Sequence, residues 1–501
     1  MSARIFRLYD TLTRKVIPLT TVEPDHLRFY SCGPTVYSYA HIGNFRTFLT
    51  ADLVVRTAEA LGWKVDYVSN ITDVGHLTSD DVDSDEPGED RMEKGLRSKE
   101  GERFRNVYEL ADYYANEFKT DWRRLNLREP MIWPKATQHM REQILAVEDL
   151  IGREHAYETP TGVYFDVSSF KDYGELSGNR DQDQLKRAVR DVVTDDNKRH
   201  PADFALWKKD DKHLMQWFSP WGWGFPGWHI ECSVMARQYL GDTLDLHAGG
   251  EDLVFPHHEC EIAQSESLTG KPFANHWMHT KFLQVDGEKM SKSKGNFFTV
   301  RDLIEDRNAD PLALRYALIS VPYRRPLNFT MQTLEDATKA VERFRECDRV
   351  ARLSAETDQP GEDSIGAELQ ALYSEALDAM CDDLNTSVAL AKAYEGTKVI
   401  LRQSDHNSDE GRSALDFLRR VNDLLGIVYP QHADPCGPST APAVSVSAEI
   451  VESKLAERGE AKRNKNFARA DAIRDELEAM GIEVRDTPDG VVWKPKSFSS
   501  L

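Results

Sequence analysis

The pattern of apolar residues in the N-terminal part of the chain predicts two strands that flank one helix. Residues 27–32 (LRFYSC) form a short, largely apolar run typical of a buried strand, and residues 33–35 (GPT) end it. Residues 44–61 carry apolar side chains at helical spacing as far as Gly62. Residues 64–72 (KVDYVSNIT) again have the pattern of a strand. A strand, a helix and a second strand in this order predict a parallel βαβ unit.

After this unit the pattern changes to longer helices and a hairpin. Residues 94–125 predict a long, charged, amphipathic helical region. A further helix is expected after Pro134, as far as about Arg153. Residues 157–167 (YETPTGVYFDV) predict a hairpin. We therefore expect residues 121–225 to be a connective insertion that splits a single sheet domain.

From residue 226 onward, strands and helices alternate again. Residues 226–241 predict a helix, and residues 244–250 (LDLHAGG) predict a strand that ends in a glycine turn. Another helix is expected from Pro256, because proline suits the first turn of a helix. Residues 281–287 predict a strand followed by the hairpin turn Asp-Gly. The fold class is therefore α/β, with a doubly wound, Rossmann-like parallel sheet.

The last third of the chain predicts a helical bundle and a small basic module. Helical spacing recurs at 335–353, 368–380, 388–401 and 413–425. The expected organisation is the first half of the sheet domain at 1–120, the insertion at 121–225, the second half at 226–327, the bundle at 328–428, a linker rich in Pro, Ala and Ser at 429–447 and an α+β module at 448–501.

The C-terminal module stands out by its charge. Residues 449–480 carry seven Lys and Arg residues and end at Gly481. Residues 482–494 predict a hairpin. A solvated helix pair is one interpretation. We prefer an RNA-binding face, with Trp493 as a stacking platform, because this basic block belongs to an acidic protein.

Composition limits the class of protein. The 501 residues include 63 Lys and Arg and 84 Asp and Glu, so the net charge is 63 − 84 = −21. RNA binding would therefore require local basic faces. Six scattered cysteines indicate a reducing compartment, and we expect a cytoplasmic protein without a signal peptide or membrane span. Residues 80–90 hold seven acidic side chains and predict a solvated loop, while residues 181–200 are polar and charged.

Two polar segments of the sheet domain suit phosphate binding. Residues 34–44 (PTVYSYAHIGN) lie in the turn before the first helix, where free N–H groups and the helix dipole favour an anion. His41 in this turn could donate to phosphate, or simply cap the helix. Residues 289–293 (KMSKS) combine lysines with hydroxyls, which suits polyphosphate, although short lysine clusters are more often solvated surface loops.

Both segments resemble the two motifs of class I aminoacyl-tRNA synthetases, HIGH and KMSKS. The resemblance implies that His41 and Asn44 contact phosphate, and that Lys289 and Lys292 stabilise charge on the β and γ phosphates. Asn44 stands where the family motif has a second His, and an amide can donate to phosphate but carries no charge. The same resemblance implies an ATP site at His41, Gly43, Gly249, Asp252 and Lys292, with Mg²⁺ entering with ATP.

A metal site is suggested by four residues that are distant in the sequence. His257 and Glu261 are four apart and would share one helix face. Cys232 precedes them by one strand, and Cys32 ends the first strand. In a doubly wound sheet these points converge at the carboxyl ends of the strands. The alternative is that both cysteines are small buried hydrophobic residues and that His257 caps a helix.

The segments CGPTVY, GWHIECS and FPHHE-x-E resemble the cysteinyl-tRNA synthetase family, and NITD at residues 70–73 also occurs there. The resemblance implies that Cys32, Cys232, His257 and Glu261 hold one zinc ion per chain. It also implies that Thr72 and Trp228 line the amino-acid pocket. His258 is expected to project away from His257, so that His258 and Cys260 lie outside the ligand set. Zinc would separate cysteine from serine, because a soft thiolate binds it far better than a hydroxyl does.

The implied reaction has two steps, formation of cysteinyl-adenylate from L-cysteine and ATP and transfer to the 3′ end of tRNA(Cys). The enzyme would be a monomer without a membrane partner. Two alternatives remain open. Cysteine ligases of mycothiol synthesis resemble the same family but join cysteine to an amino sugar, and a non-catalytic synthetase-like protein would only bind RNA. The basic C-terminal block argues against the first, and the set of intact motifs argues against the second.

Overall fold

The coordinates form a computed structural model that describes residues 4–75, 90–179, 197–290, 295–357, 359–402 and 406–430, parts of 454–477, and residues 482–487 and 490–495. The chain divides into two compact units, residues 1–432 and 433–501, and each is described by itself. Among the described residues, no helix combines the length and the apolar character needed to cross a bilayer. The acidic loop at 80–89 and most of 181–200 lie outside the described residues.

The described strands are β1 Arg7–Asp10, β2 Lys15–Pro18, β3 His26–Ser31, β4 Lys64–Ser69, β5 Ala156–Glu158, β6 Gly162–Phe165, β7 Phe204–Lys209, β8 Trp217–Ser219, β9 Gly222–Pro226, β10 Leu246–Gly250, β11 Trp277–Thr280, β12 Leu283–Val285, β13 Glu288–Lys289, β14 Leu327–Phe329, β15 Ile482–Thr487 and β16 Gly490–Pro495. The described helices are α1 Ile42–Ala60, α2 Arg91–Arg97, α3 Val107–Arg124, α4 Met140–Gly152, α5 Trp228–Leu240, α6 Glu259–Thr269, α7 Pro311–Ile319, α8 Met331–Ala355, α9 Gly366–Cys381, α10 Thr386–Ile400 and α11 Ser408–Leu425.

A parallel sheet forms the centre of the first unit. Its described strands lie in the order β11-β10-β3-β4, and each neighbouring pair is parallel. In β3 and β4, Phe29 pairs with Tyr67 and Ser31 pairs with Ser69. The predicted βαβ unit is therefore confirmed. Because every strand runs in the same direction, the loops that follow the strands meet at one edge of the sheet.

Helix α1 connects β3 to β4 and is buried over most of its length, including the charged residues Arg46, Asp52 and Arg56. Asp52 lies 2.7 Å from Arg56 and 2.5 Å from Arg315, with all three side chains fully buried. Arg315 also donates to the carbonyl oxygens of Leu125 and Leu425, at 3.0 and 2.7 Å. A buried ion cluster of this kind is expensive unless every donor has an acceptor. Here the arginines bind α1, the end of α3 and the end of α11 together.

The single helical region predicted at 94–125 is wrong, because two helices occupy it. Helix α2 begins after Asp90, whose side chain accepts from the N–H of Glu93. Helix α3 begins after Asn106, which caps it by accepting from the N–H of Glu109. Between them the chain passes close to itself, since a Cβ on Gly101 would lie 2.2 Å from the carbonyl oxygen of Gly95. This close approach and the second cap separate the two helices, although the helical spacing of apolar residues continues through the segment.

The segment predicted as an insertion contains its own sheet. Strands β5 to β9 form an antiparallel sheet, in the order β5-β6-β7-β9-β8 among the described residues. The hairpin predicted at 157–167 is confirmed as β5 and β6, in which Tyr157 pairs with Tyr164. Helix α4 begins after a short helical turn at Ala136–His139, close to the predicted start after Pro134.

Helices α8 to α11 occupy the region predicted as a bundle, and each contains most of its predicted segment. Helix α11 begins at Ser408, five residues earlier than predicted, because Asn407 and Glu410 form a capping box. In the second unit, β15 and β16 form the predicted hairpin, with Thr487 paired to Gly490. Trp493 belongs to β16, and its proposed role in stacking remains a prediction.

Candidate active site and metal centre

Four predicted metal ligands meet at the carboxyl edge of the parallel sheet. Cys32 follows β3, Cys232 is on α5, His257 is in the wide turn before α6, and Glu261 is on α6. All four side chains are buried, and one donor atom from each lies within 4.8 Å of the others. The Sγ atoms of the cysteines are 4.0 Å apart, and His257 Nε2 lies 2.7 Å from Glu261 Oε1. The fold therefore joins side chains that are up to 229 positions apart.

The donors fit a transition-metal ion such as zinc. Two thiols, one imidazole and one carboxylate provide the sulfur, nitrogen and oxygen ligands that zinc uses in proteins. The second ring nitrogen of His257 lies 2.9 Å from Nδ1 of His229, so the ring is held from behind. Outer support of this kind is typical of histidine ligands. Trp228 packs its ring on His257, with 4.2 Å between the ring centroids.

The charges in the cluster are arranged around His257. Burial opposes ionisation of Glu261, but the His247 and His257 rings lower the pKa of its carboxyl group to about 2. Burial likewise raises the pKa of the Cys232 thiol, yet the hydrogen bond from Cys32 and the contact with His257 lower it to about 6. Burial lowers the pKa of His257, whereas Glu261 and Cys232 raise it to about 10. A positive charge is thus favoured between a carboxylate and a thiolate, as a bound cation would require.

The expectation that His258 projects away from the cluster is wrong. His258 Nε2 lies 3.3 Å from Cys32 Sγ, and the ring is fully buried. Residues Val254–His258 form a wide helical turn, with extended backbone at Phe255, so the ideal α-helical spacing does not apply. Cys260, as expected, lies elsewhere, with its Sγ 3.5 Å from the Tyr173 hydroxyl.

His247 is a further residue of the site, and no sequence motif predicted it. His247 is in β10, two residues before Gly249, and its Nε2 lies 2.7 Å from Glu261 Oε2. Cys32, His247, His258 and Glu261 also have donor atoms within 4.8 Å of one another. The position of His247 within a buried strand that leads into a glycine turn was the available signal.

The N-terminus of α1 lies at the same edge of the sheet, ten residues after Cys32. His41 Nδ1 accepts from the N–H of Asn44, and Asn44 Oδ1 accepts from the N–H of His41, both at 3.1 Å. Because Nδ1 is an acceptor, the neutral His41 ring carries its proton on Nε2, the nitrogen able to donate to phosphate. The helix cap and the phosphate contact are therefore compatible for His41. The Asn44 side-chain oxygen belongs to the cap, which leaves its NH₂ group as the donor.

The segment around the KMSKS residues returns to this helix end. A Cβ on Gly43 would lie 2.8 Å from Met290 Cε and 3.0 Å from the His41 ring. The N–H of Ile42 donates to the carbonyl oxygen of Phe298 at 3.0 Å. Lys289 is exposed, whereas Lys292 lies outside the described residues. The described ends of the loop are thus attached next to the predicted phosphate site.

The remaining predicted residues surround these two groups. Thr72 is buried and accepts from Asn70 Nδ2 at 3.0 Å, just after β4. A Cβ on Gly249 would lie 2.8 Å from both the His258 ring and Leu253 Cδ1, so the backbone there approaches closely. Asp252 follows in a short helical turn and is exposed.

The sequence matches three family models. Residues 18–339 match the class I (C) catalytic domain of tRNA synthetases, residues 377–429 match the DALR domain, and residues 448–493 match the cysteinyl-tRNA ligase anticodon binding domain.

Relatives of the whole chain have the same family name. The cysteine–tRNA ligase of Salinibacter ruber is 55% identical over 99% of both chains. That of Chlorobaculum tepidum is 42% identical over 98% of this chain and 99% of the relative. The methionyl-tRNA synthetase of Mycobacterium tuberculosis, solved with methionyl-adenylate, has a TM-score of 0.57 at 14% identity, covers 89% of this chain and 96% of its own, and shares the fold. The chain therefore belongs to the cysteine–tRNA ligase family of class I aminoacyl-tRNA synthetases.

Proposed function

We propose that this protein activates L-cysteine with ATP and transfers the cysteinyl group to the 3′ end of tRNA(Cys). One observation carries the proposal. A buried cluster with two thiols, one imidazole and one carboxylate lies at the same sheet edge as a helix N-terminus capped by His41. A metal-selective amino-acid pocket next to a phosphate site is what activation of a thiol amino acid requires.

Amino-acid selection is assigned to the buried cluster and its neighbours. Cys32, Cys232, His257 and Glu261 would hold one zinc ion. When bound there, zinc supplies a soft Lewis acid that favours a thiolate over a hydroxyl. Trp228, whose ring packs against His257, and the buried Thr72 would form the walls of the pocket. A hydrophobic pocket alone separates cysteine from serine poorly, because the two differ little in shape.

The chemistry of the first step uses phosphate positioning. The cysteine carboxylate oxygen attacks the α-phosphorus of ATP, the bond to the bridging oxygen breaks, and pyrophosphate leaves. His41 Nε2–H, the Asn44 amide and the dipole of α1 would stabilise the phosphates, with Gly43 allowing close approach. Lys289 and Lys292 would balance charge on the pyrophosphate, and Mg²⁺ would enter with ATP. Gly249 and Asp252 are proposed to hold the adenosine.

The second step transfers the acyl group. A ribose hydroxyl of the terminal tRNA nucleotide attacks the cysteinyl carbonyl carbon, and AMP leaves with the anhydride oxygen. The match of residues 448–493 to an anticodon binding domain supports tRNA as the acceptor, over an amino sugar. The match of residues 18–339 to a catalytic domain argues against a protein that only binds RNA. We place the enzyme in the cytoplasm, as a monomer.

The test is ATP–pyrophosphate exchange with cysteine and with serine, on protein assayed for zinc. We expect exchange with cysteine only, at about one zinc per chain.

Cys232→Ala should abolish selection of cysteine, whereas Cys381→Ala, at a buried cysteine outside the cluster, should leave exchange unchanged. Lys292→Ala should reduce exchange about 100-fold without loss of zinc. No exchange in zinc-loaded wild-type protein would refute the proposed function.

A further inference from the structure

The buried cluster of candidate metal ligands contains two overlapping sets of donor atoms. The first consists of Cys32, Cys232, His257 and Glu261, and the second consists of Cys32, His247, His258 and Glu261. Each set has four buried donor atoms within 4.8 Å of one another. Both sets use Cys32 and Glu261, so a chain can fill only one of them with all four ligands at a time.

The carboxylate of Glu261 faces both sets with different oxygens. Oε1 lies 2.7 Å from His257 Nε2, and Oε2 lies 2.7 Å from His247 Nε2. Glu261 is fully buried on α6, so no rotation of the side chain is needed to present an oxygen to either side. The shared carboxylate is therefore already oriented for two ligand arrangements.

The rings of the second set are held in place from behind. His258 Nδ1 lies 2.8 Å from His279 Nε2, and His279 Nδ1 lies 2.7 Å from the Thr11 hydroxyl. When these nitrogens donate outward in sequence, the lone pair of His258 Nε2 faces Cys32 Sγ at 3.3 Å. The His247 ring is stacked on Trp277, with centroids 4.7 Å apart. Outer hydrogen bonds that fix ring orientation are typical of histidine ligands.

A purely supporting role for His247 and His258 would explain the hydrogen bonds but not the composition of the set. One thiol, two imidazoles and one carboxylate form a complete group of ligands for a divalent transition-metal ion. Among the described residues, His247 Nδ1 is buried without a hydrogen-bond partner, so stacking on Trp277, rather than an outer hydrogen bond, holds this ring.

We propose that Cys32, His247, His258 and Glu261 form a second coordination position for the same divalent ion, which retains the ion when Cys232 or His257 does not ligate it. The inference rests on the proposed metal site and goes beyond it, since it assigns ligands outside the first set. Cys32 and Glu261 belong to both sets and would hold the ion in either one, whereas the other two ligands of each set differ.

The test measures Co²⁺ binding to the full chain, by equilibrium dialysis and by thiolate-to-cobalt absorption. The variants are Cys232→Ser, which is nearly isosteric, His258→Gln, and the two combined. We expect Cys232→Ser to hold about one Co²⁺ per chain, with about half the thiolate absorption of wild type because one thiolate remains. Adding His258→Gln should then weaken binding at least about tenfold, whereas His258→Gln alone should leave affinity within about twofold.

The outcomes separate the two proposals. If Cys232→Ser binds no Co²⁺ while wild type does, the second position is refuted and the first remains. Equal losses from His258→Gln in both backgrounds would make His258 a supporting residue and would also overturn the inference. If the wild-type chain binds no Co²⁺, the metal site of the proposed function fails first. Thermal unfolding of each variant identifies any that does not fold, and Cys232→Ala then replaces Cys232→Ser.

Discussion

Gly43 occupies the second position of α1, between the helix cap and the segment that carries the KMSKS residues. Alanine favours a helix over glycine by about 1 kcal/mol, so the absence of a side chain here costs stability. The reason is steric, since a Cβ would meet Met290 Cε at 2.8 Å and the His41 ring at 3.0 Å. Met290 is flexible and can move aside, which would displace the loop rather than unfold the helix.

We therefore predict that Gly43→Ala separates stability from activity. The free energy of unfolding should stay within about 1 kcal/mol of wild type, because the helix gains what the contact loses. The rate of cysteine-dependent ATP–pyrophosphate exchange should fall about tenfold or more, because small misplacements at a reacting centre are costly. Urea unfolding and ATP–pyrophosphate exchange measure the two effects.

The matched control is Gly152→Ala, at the exposed end of α4, where a Cβ would meet nothing within 4 Å. This variant should retain wild-type exchange. Wild-type exchange in Gly43→Ala as well would show that the close approach of Met290 has no role in activation.

Helix α3 contacts the segment that follows the KMSKS loop through a cluster of charges. Arg301 pairs with Glu117 of α3, and Arg124 of α3 pairs with Glu305 at 2.6 Å. Asp121 lies between them, 3.3 Å from Arg124 and 3.6 Å from Arg301. Three acids thus face two arginines. Burial raises the pKa of Asp121 to about 7, although both arginines act in the opposite direction.

Because the cluster has one more acidic than basic side chain, its contribution to the free energy of unfolding depends on pH. Between about pH 4 and pH 7, Asp121 keeps its proton in the folded protein, whereas it has already lost the proton in the unfolded chain, where its pKa is near 3.8. The free energy of unfolding should therefore contain a contribution that falls as pH rises from about 4 to about 7. Asp121→Asn should remove this pH dependence, so that at pH 8 the variant is more stable than wild type by on the order of 2 kcal/mol.

Denaturant unfolding at pH 5 and pH 8 provides the measurement. The advantage of Asp121→Asn should be smaller at pH 5, where wild-type Asp121 is protonated. Asp306→Asn, at an exposed carboxylate next to Glu305, serves as the control and should show no such difference. An Asp121→Asn variant that is less stable than wild type at pH 8 would contradict the assigned burial cost.

Within the first unit, buried arginines connect the sheet domain to the helical bundle. Arg315 on α7 contacts Asp52 of α1 and the last carbonyl group of α11. Arg56 donates to the carbonyl oxygens of Asn422 and Asp423, each at 3.0 Å. The bundle therefore belongs to the same compact unit as the candidate active site. This unit ends at residue 432. Residues 433–501 form the other unit.

We predict that a chain of residues 1–432 keeps the activation step and loses most of the transfer step. The rate of cysteine-dependent ATP–pyrophosphate exchange should stay within about twofold of that of the full chain, because the proposed site residues all lie in the first unit. Cysteinylation of tRNA(Cys), measured as kcat/KM, should fall about 100-fold, since a tethered second binding module raises overall affinity by this order.

Full-length protein measured in parallel is the reference, and a retained unfolding transition shows that the shortened chain folds. Unchanged cysteinylation by residues 1–432 would show that the C-terminal module does not bind tRNA. Loss of exchange in a folded chain would instead place part of the activation site beyond residue 432.

Local pattern and capping were sufficient for the elements of this protein that depend on neighbours in sequence. The βαβ unit, the hairpin of β5 and β6 and the bundle helices follow from periodicities of two and 3.6 residues, which need no distant partner. The same information failed at residues 94–125, where a contact between Gly101 and the Gly95 carbonyl interrupts the helix. That contact involves backbone approach, which leaves no trace in a hydrophobic pattern.

The sequence by itself determined which residue types carry the chemistry, since the motifs around His41, Cys32 and Cys232 identify the family. Only the tertiary structure decided which side chains meet. The order β11-β10-β3-β4 brings His247 of β10 next to the end of β3, and the wide turn before α6 directs His258 to Cys32. Strand order and an irregular turn depend on packing between distant segments, so no local periodicity contains them.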